Sequence, residues 1–279
     1  MIHVFQRHWH TTVRRVRSGA LLDAQTVYRG TDGEYAALLQ LQAETFRIVA
    51  ATWESYAPEL TTVAIEGLVG VEAYFNSGPV LKETLKELGE FPSALFAESV
   101  RGMIQSETFL LAERGFVSPE AYDQYWDEFY AGACRYYSNL DRVTQTWREH
   151  AGPYRTTGLF NRFKCQNVYA GAAGYRLTGL FSDSFHELGV DLTLDPNLTV
   201  VKAEAAMLRM PDKVCREAMA HAGQLTGLVL DGLSKKQIAA LLGAGEGCVH
   251  LIDLVYDAME SLKIYRQKEM VKNNSRKDG

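Results

Sequence analysis

Apolar and polar positions change their period several times along the chain, and each change marks a predicted element. Ala20-Leu-Leu-Asp-Ala-Gln-Thr-Val-Tyr-Arg29 is apolar and partly β-branched, and Gly30-Thr-Asp-Gly33 follows it as a turn signal. Residues 10 to about 42 therefore read as strands, with Glu34 to Gln42 as the returning one. Residues 43 to 56 fit either strand or helix. From about 57 to 150 the spacing becomes helical. Pro79 to Leu88 is a short predicted helix ended by Gly89, and Pro92 to Arg114 a longer one stopped by Gly115. Ser118-Pro119-Glu120 has the residues of a helix start, with Ser as the cap and Pro at the first helical position. The helix it opens is expected to run to His150. Its apolar stripe is Tyr122, Trp126, Phe129, Ala133, Tyr136, Leu140, Val143 and Trp147, spaced by three and four.

Gly152-Pro153 breaks the chain and the cycle restarts. Arg162 to Ala170, Tyr175 to Phe181, Val190 to Leu194 and Leu198 to Met207 read as strands, with a turn at Asp195-Pro-Asn197. Pro211 opens a helix carrying Cys215. Ser234-Lys-Lys-Gln237 is a capping box for a helix over Lys235 to Leu242, and the last helix spans about Cys248 to Arg266. The expected fold class is α+β, with two pseudo-repeated halves packed as a pseudo-dimer. Residues 1–117 form the first half, 118–152 a long aromatic-rich bridging helix, 153–266 the second half and 267–279 a frayed tail. Gly89-Glu90 aligns with Gly245-Glu246, Leu95 with Leu251 and Met103 with Met259.

The densest chemistry lies in Gly-Glu-Gly-Cys248-Val-His250-Leu-Ile-Asp253, a thiol, an imidazole and a carboxylate within six positions. The aligned segment of the first half carries Pro92, Ala94 and Ala97 at those places, so one copy is chemically blank. A thiol at a helix start has a lowered pKa and more thiolate. Residues i and i+2 of a helix point about 200° apart. Cys248 and His250 therefore share a ligand only if Cys248 lies before or at the first helical residue, a departure that Gly245 and Gly247 ease. Asp253, three residues past His250 and on its face, is placed to hold the imidazole tautomer.

Three readings follow. Cys248, His250, Cys215 and His186 are candidate ligands for zinc or iron. Alternatively Cys248 is a nucleophile, with His250 as base and Asp253 as orienter. In the plainest reading the thiol packs at a tight turn and His250 bonds nearby backbone. His186-Glu187 after Ser182-Asp183 reads as a turn hydrogen-bond cluster at a strand end. His3, His8 and His10 make a scattered N-terminal group. Whether the chain is an enzyme acting on a small, partly apolar molecule or a non-catalytic binding or interaction module is left open.

Several segments of the second half resemble the bacterial family called domain of unknown function 2889. They are Leu192-Thr-Leu-Asp195, Ala203-Glu204-Ala205, Pro211-Asp-Lys-Val-Cys215, Leu225-Thr-Gly-Leu228, Leu242-Gly243 and Gly247-Cys248-Val-His250-Leu251-Ile-Asp253-Leu254. The family pattern at the end is Gly-Cys-Thr-His-Leu followed by an acidic residue and Leu; Val249 replaces the Thr here. The resemblance covers roughly residues 160 to 262. It implies a fold and a site position but no activity.

Composition narrows the setting. The chain has 279 residues, 47% of them hydrophobic and 23% charged, as in globular proteins. A net charge of -5 argues against a nucleic-acid partner, and Arg14-Arg15-Val-Arg17 is the one dense basic run. No stretch approaches the roughly 18 apolar residues needed to span a bilayer. Four widely spaced cysteines and no secretory signal point to reduced thiols in the cytoplasm. The expected partner is a small molecule, with neither nucleic acid nor membrane; a homo-oligomer stays open.

Overall fold

A computed structural model describes residues 1–16, 19–56 and 59–275. Arg17, the last member of the basic run, and residues 276–279 of the tail lie outside the described residues. The chain opens with β1 (Ile2–Arg15), β2 (Leu21–Gly30), β3 (Gly33–Gln42), β4 (Ile48–Ser55) and β5 (Thr61–Ala64). Helices α1 (Gly78–Thr84), α2 (Glu90–Ser106), α3 (Pro119–Phe129) and α4 (Trp147–Ala151) follow. Then come β6 (Gly158–Gly171), β7 (Gly174–Asp183), β8 (Glu187–Leu194) and β9 (Val200–Arg209), and last α5 (Val214–Glu217), α6 (Lys235–Leu241) and α7 (Val249–Ser275). One sheet has the strand order β5-β4-β3-β2-β1-β6-β7-β8-β9. Mixed strands and helices in this order make the fold α+β.

The turn chemistry was legible. β2 and β3 pair antiparallel down to Gly30 opposite Gly33, a two-residue hairpin at the predicted Gly-Thr-Asp-Gly turn. β7 and β8 pair antiparallel from Tyr175 opposite Leu194 to Ser182 opposite Glu187. Ser234 caps α6 as expected, its side chain accepting from the Gln237 N–H within a complete capping box. The ambiguous 43–56 stretch resolves into strand β4. The terminal segment before residue 10 is also strand. Phe5, Arg7, Trp9, Thr11 and Val13 are buried in alternation on β1.

The long bridging helix from Ser118 to His150 does not form. α3 stops at Phe129, Gly132 turns into the left-handed region at φ +75°, and helix returns only as a 3-10 turn at Leu140–Arg142 and as α4. The stripe was right about burial only in part: Tyr122 and Trp126 are buried, Tyr136 belongs to the core and Leu140 and Val143 pack against it, but Phe129 and Ala133 are exposed. The tail is also corrected, because helix α7 continues through residues 267–275.

Contacts gather the chain into two units. One comprises Met1–Arg7, Asp127–His150 and Lys164–Gly279; the other comprises His8–Trp126 and Ala151–Phe163. In the first of these, α7 lies on β7 and β8, and the core joins Val168, Leu177, Phe181, Leu192, Leu251, Leu254, Val255 and Ala258. Phe5 and Tyr136 belong to the same core. In the other unit, α2 lies on β2 and β3. Its interior holds a hydroxyl chain, Thr11 to Thr26 at 3.0 Å and Thr26 to Ser99 at 2.8 Å. It also holds an aromatic nest of Tyr28, Tyr35, Trp53 and Phe91, with ring centroids 4.7 to 6.5 Å apart.

Candidate functional site

The segment before α7 is built on contacts that only glycine permits. A Cβ at Gly247 would lie 2.0 Å from the Leu242 carbonyl, and one at Gly245 2.3 Å from the Gly132 carbonyl. The Arg135 N–H donates to the Gly247 carbonyl at 2.8 Å, and the Ser138 hydroxyl to the Gly245 carbonyl at 2.8 Å. The Arg135 guanidinium pairs with Glu217 and, at 2.7 Å, with Glu246. The turn is thereby held rigidly against residues 132–139.

Cys248 sits where helix geometry required, one residue before α7, with its carbonyl accepting from the Ile252 N–H at 3.1 Å. Its thiol is in the opposite electrostatic state to the one expected of a helix start. Burial pushes it up to about 12, outweighing the N–H groups of Leu251 and His250 that bond it. Cys248 is thus a neutral, buried cap. Cys215 is likewise pushed up to about 12 by burial, and the Cys134 and Cys248 thiols lie near enough to add to the shift. The Asp253 carboxylate forms an ion pair with Lys235 at 2.5 Å.

His250 faces a different constellation. At the end of β7, Asp183 turns the chain: its Oδ1 accepts the Phe185 N–H at 2.8 Å and the His186 N–H at 2.7 Å, and its own N–H donates to the His186 carbonyl at 2.8 Å. The expected turn cluster is therefore present, and it also aims His186. His186 Nδ1 lies 3.2 Å from Asp183 Oδ1, and the carboxylate is buried. Nδ1 faces the carboxylate, so Nε2 is the ring nitrogen turned away from Asp183. Arg209 locks the loop, its guanidinium donating to the Ser184 carbonyl at 3.0 Å and the Asp183 carbonyl at 2.5 Å.

The His186 and His250 rings lie 4.3 Å apart, and ligand atoms of Asp183, His186 and His250 all fall within 4.8 Å of one another. Phe181 packs on His250 at 4.6 Å, and Trp147 packs on Phe185 at 4.8 Å. His150 stands 6.5 Å from His186 and bonds the Phe185 carbonyl at 2.7 Å. Burial depresses its pKa below the ordinary histidine value. Of the sequence-predicted ligands, the fold brings together His186 and His250; Cys215 and Cys248 lie in the core beneath the turn. Neither Asp183 nor His150 was among the sequence-predicted ligands; the sequence reading gave Asp183 only a place in a turn hydrogen-bond cluster. Asp183 stood beside His186 in sequence, and only an Asx-turn reading of Asp183-Ser-Phe-His186 would have found its hold on the ring. Two His on different elements with an adjacent carboxylate form a donor set suited to zinc or iron.

An α+β unit carrying this His/Asp cluster on a strand end and a helix start defines the class of the second half. Residues 143–263 match the family described as protein of unknown function (DUF2889), and the match takes in His150, Asp183, His186 and His250. No curated protein matches the chain. No helix among the described residues is long and apolar enough to cross a membrane.

Proposed function

We propose that the second half binds a transition metal, zinc or iron, between His186 and His250, with Asp183 orienting His186 or completing the ligand set. The observation that carries this is the convergence of the three side chains within 4.8 Å. His186 and His250, with Asp183, would hold the metal, which would supply a hydroxide from bound water at neutral pH. Trp147, Phe181 and Phe185 wall the site with rings, which suits a small, partly apolar substrate. Cobalt titration tests the reading: the native protein should develop a saturable visible band at one equivalent, and His186→Ala and His250→Ala should each abolish it. A native protein that stays colourless would overturn it. The alternative, a non-catalytic ligand-binding or interaction module, draws on the neutral thiol of Cys248, which leaves no activated nucleophile beside His250.

The two halves also read as relatives, one with a site and one without. In each half a run of antiparallel strands precedes a helix lying on the second and third of them, the five strands β1–β5 with α2 and the four strands β6–β9 with α7. Where β7, β8 and α7 bring together Phe181, His186 and His250, the other half places Tyr28, Tyr35 and Phe91. All four cysteines are free, which supports a reducing, cytoplasmic setting.

A further inference from the structure

Cys134 and Cys248 belong to one compact unit and face each other across a backbone hydrogen bond. The Arg135 N–H donates to the Gly247 carbonyl at 2.8 Å, so the peptide group that follows Cys134 lies against the one that precedes Cys248. Residues facing each other across paired peptide groups have Cα atoms about 4.5–5.5 Å apart in antiparallel ladders. A disulfide spans Cα atoms roughly 4.4–6.8 Å apart. Two further contacts hold the segments together. The Ser138 hydroxyl donates to the Gly245 carbonyl at 2.8 Å, and a Cβ at Gly245 would lie 2.3 Å from the Gly132 carbonyl. The Cys134 sulfur accepts from the N–H groups of Tyr136 and Tyr137, and the Cys248 sulfur from those of His250 and Leu251. The two sulfurs are close enough for Cys134 to help keep the Cys248 thiol neutral. Cys248 is buried, Cys134 is half-buried, and both are free.

We propose that Cys134 and Cys248 form a reversible disulfide, a redox modification site that ties residues 132–139 to the start of α7. The co-reactant is an oxidised low-molecular-weight disulfide. Cys134, the more exposed thiol, attacks one sulfur of the reagent; its proton leaves with the first small thiol and a mixed disulfide remains. Cys248 then attacks the Cys134 sulfur, the protein S–S bond forms, and the second small thiol departs with the Cys248 proton. Two protein thiols are thus oxidised by two electrons while one small disulfide is reduced to two thiols. Cys215 is near both sulfurs. Among the described residues, however, no backbone bond joins it to the residues flanking either, so the fold aligns Cys134 with Cys248. The site is independent of any metal at His186 and His250.

Native protein held with glutathione disulfide below its Tm, then alkylated and mapped by mass spectrometry, tests this. The peptides of Cys134 and Cys248 should be linked to each other, two of the four thiols should stay free, and dithiothreitol should restore all four. The oxidised form should unfold at a Tm higher by about 5 °C or more, because the bond closes a loop on the order of 100 residues long. Cys134→Ser and Cys248→Ser should each lose the link, and Cys215→Ser should keep it. Mapping of the native protein decides the matter if a variant does not fold. Four thiols left free in the folded protein would overturn the proposal. So would a link that includes Cys215, or a mixed disulfide on Cys134 that never resolves. A linked form with a lowered Tm would also overturn it, since the fold would then have to distort to make the bond.

Discussion

At the scale of single residues, Asp183 organises the turn that carries His186. One carboxylate oxygen accepts two backbone N–H groups and faces the His186 ring. Asp183→Asn should therefore cost about 1–3 kcal/mol in urea unfolding, because charge-assisted bonds are lost in a buried turn. It should also weaken metal affinity by about 10- to 100-fold, as loss of an orienting carboxylate does. Unchanged stability and affinity together would remove Asp183 from the account. Cys248 gives a pH prediction. Its thiol is held up to about 12 in the fold, against about 8.5 in an unfolded chain. Between those values the native state binds the extra proton, so stability is complete below about pH 8.5 and falls as pH rises toward 12. The slope is at most about 1.4 kcal/mol per pH unit for this group. Denaturation of native protein and Cys248→Ala at pH 7.5 and 10 should show the native losing more; parallel losses would contradict the assignment. That the last helix starts at about Cys248 was readable from the sequence. The protonation of the Cys248 thiol was not, since burial by residues distant in sequence decides it.

At the scale of elements, local signals located turns and caps well. The Gly30–Gly33 hairpin and the Ser234 capping box follow from residues within four positions of one another. Ser234→Ala should cost about 1 kcal/mol of stability by thermal unfolding, and a neutral result would mean that the box contributes nothing in the folded chain. The long helix misled because its spacing followed burial at most positions, Phe129 and Ala133 excepted, and not conformation. Tyr136, Leu140 and Val143 are buried or half-buried along a path that Gly132 has already bent out of the helix. β1 was partly hidden because Arg7 and Thr11 share its buried face with Phe5 and Trp9, which spoils the apolar alternation. Gly245→Ala should separate the 243–247 turn from residues 132–139, since its Cβ meets the Gly132 carbonyl at 2.3 Å. We expect a loss of about 1–3 kcal/mol from such overpacking, together with weaker metal binding if the turn aims His250.

At the scale of the whole molecule, the unit that holds the site draws on distant segments. Phe5 on β1 and Tyr136 between α3 and α4 complete the core that contains Phe181, Leu254 and Cys248. A fragment of residues 153–279 lacks both and should fail to unfold cooperatively, judged by near-ultraviolet circular dichroism; a sharp native-like transition would contradict this. The sequence could place His186 and His250 in one candidate ligand set, but 64 residues separate them. Their meeting depends on α7 lying across β7 and β8, which no local pattern announces. The central claim is that this meeting holds a metal. Elemental analysis of the purified full-length protein, beside His186→Ala and His250→Ala purified in the same way, tests it most directly. The account predicts about one zinc or iron per native chain and little in either variant. Equal, sub-stoichiometric metal in all three would contradict it.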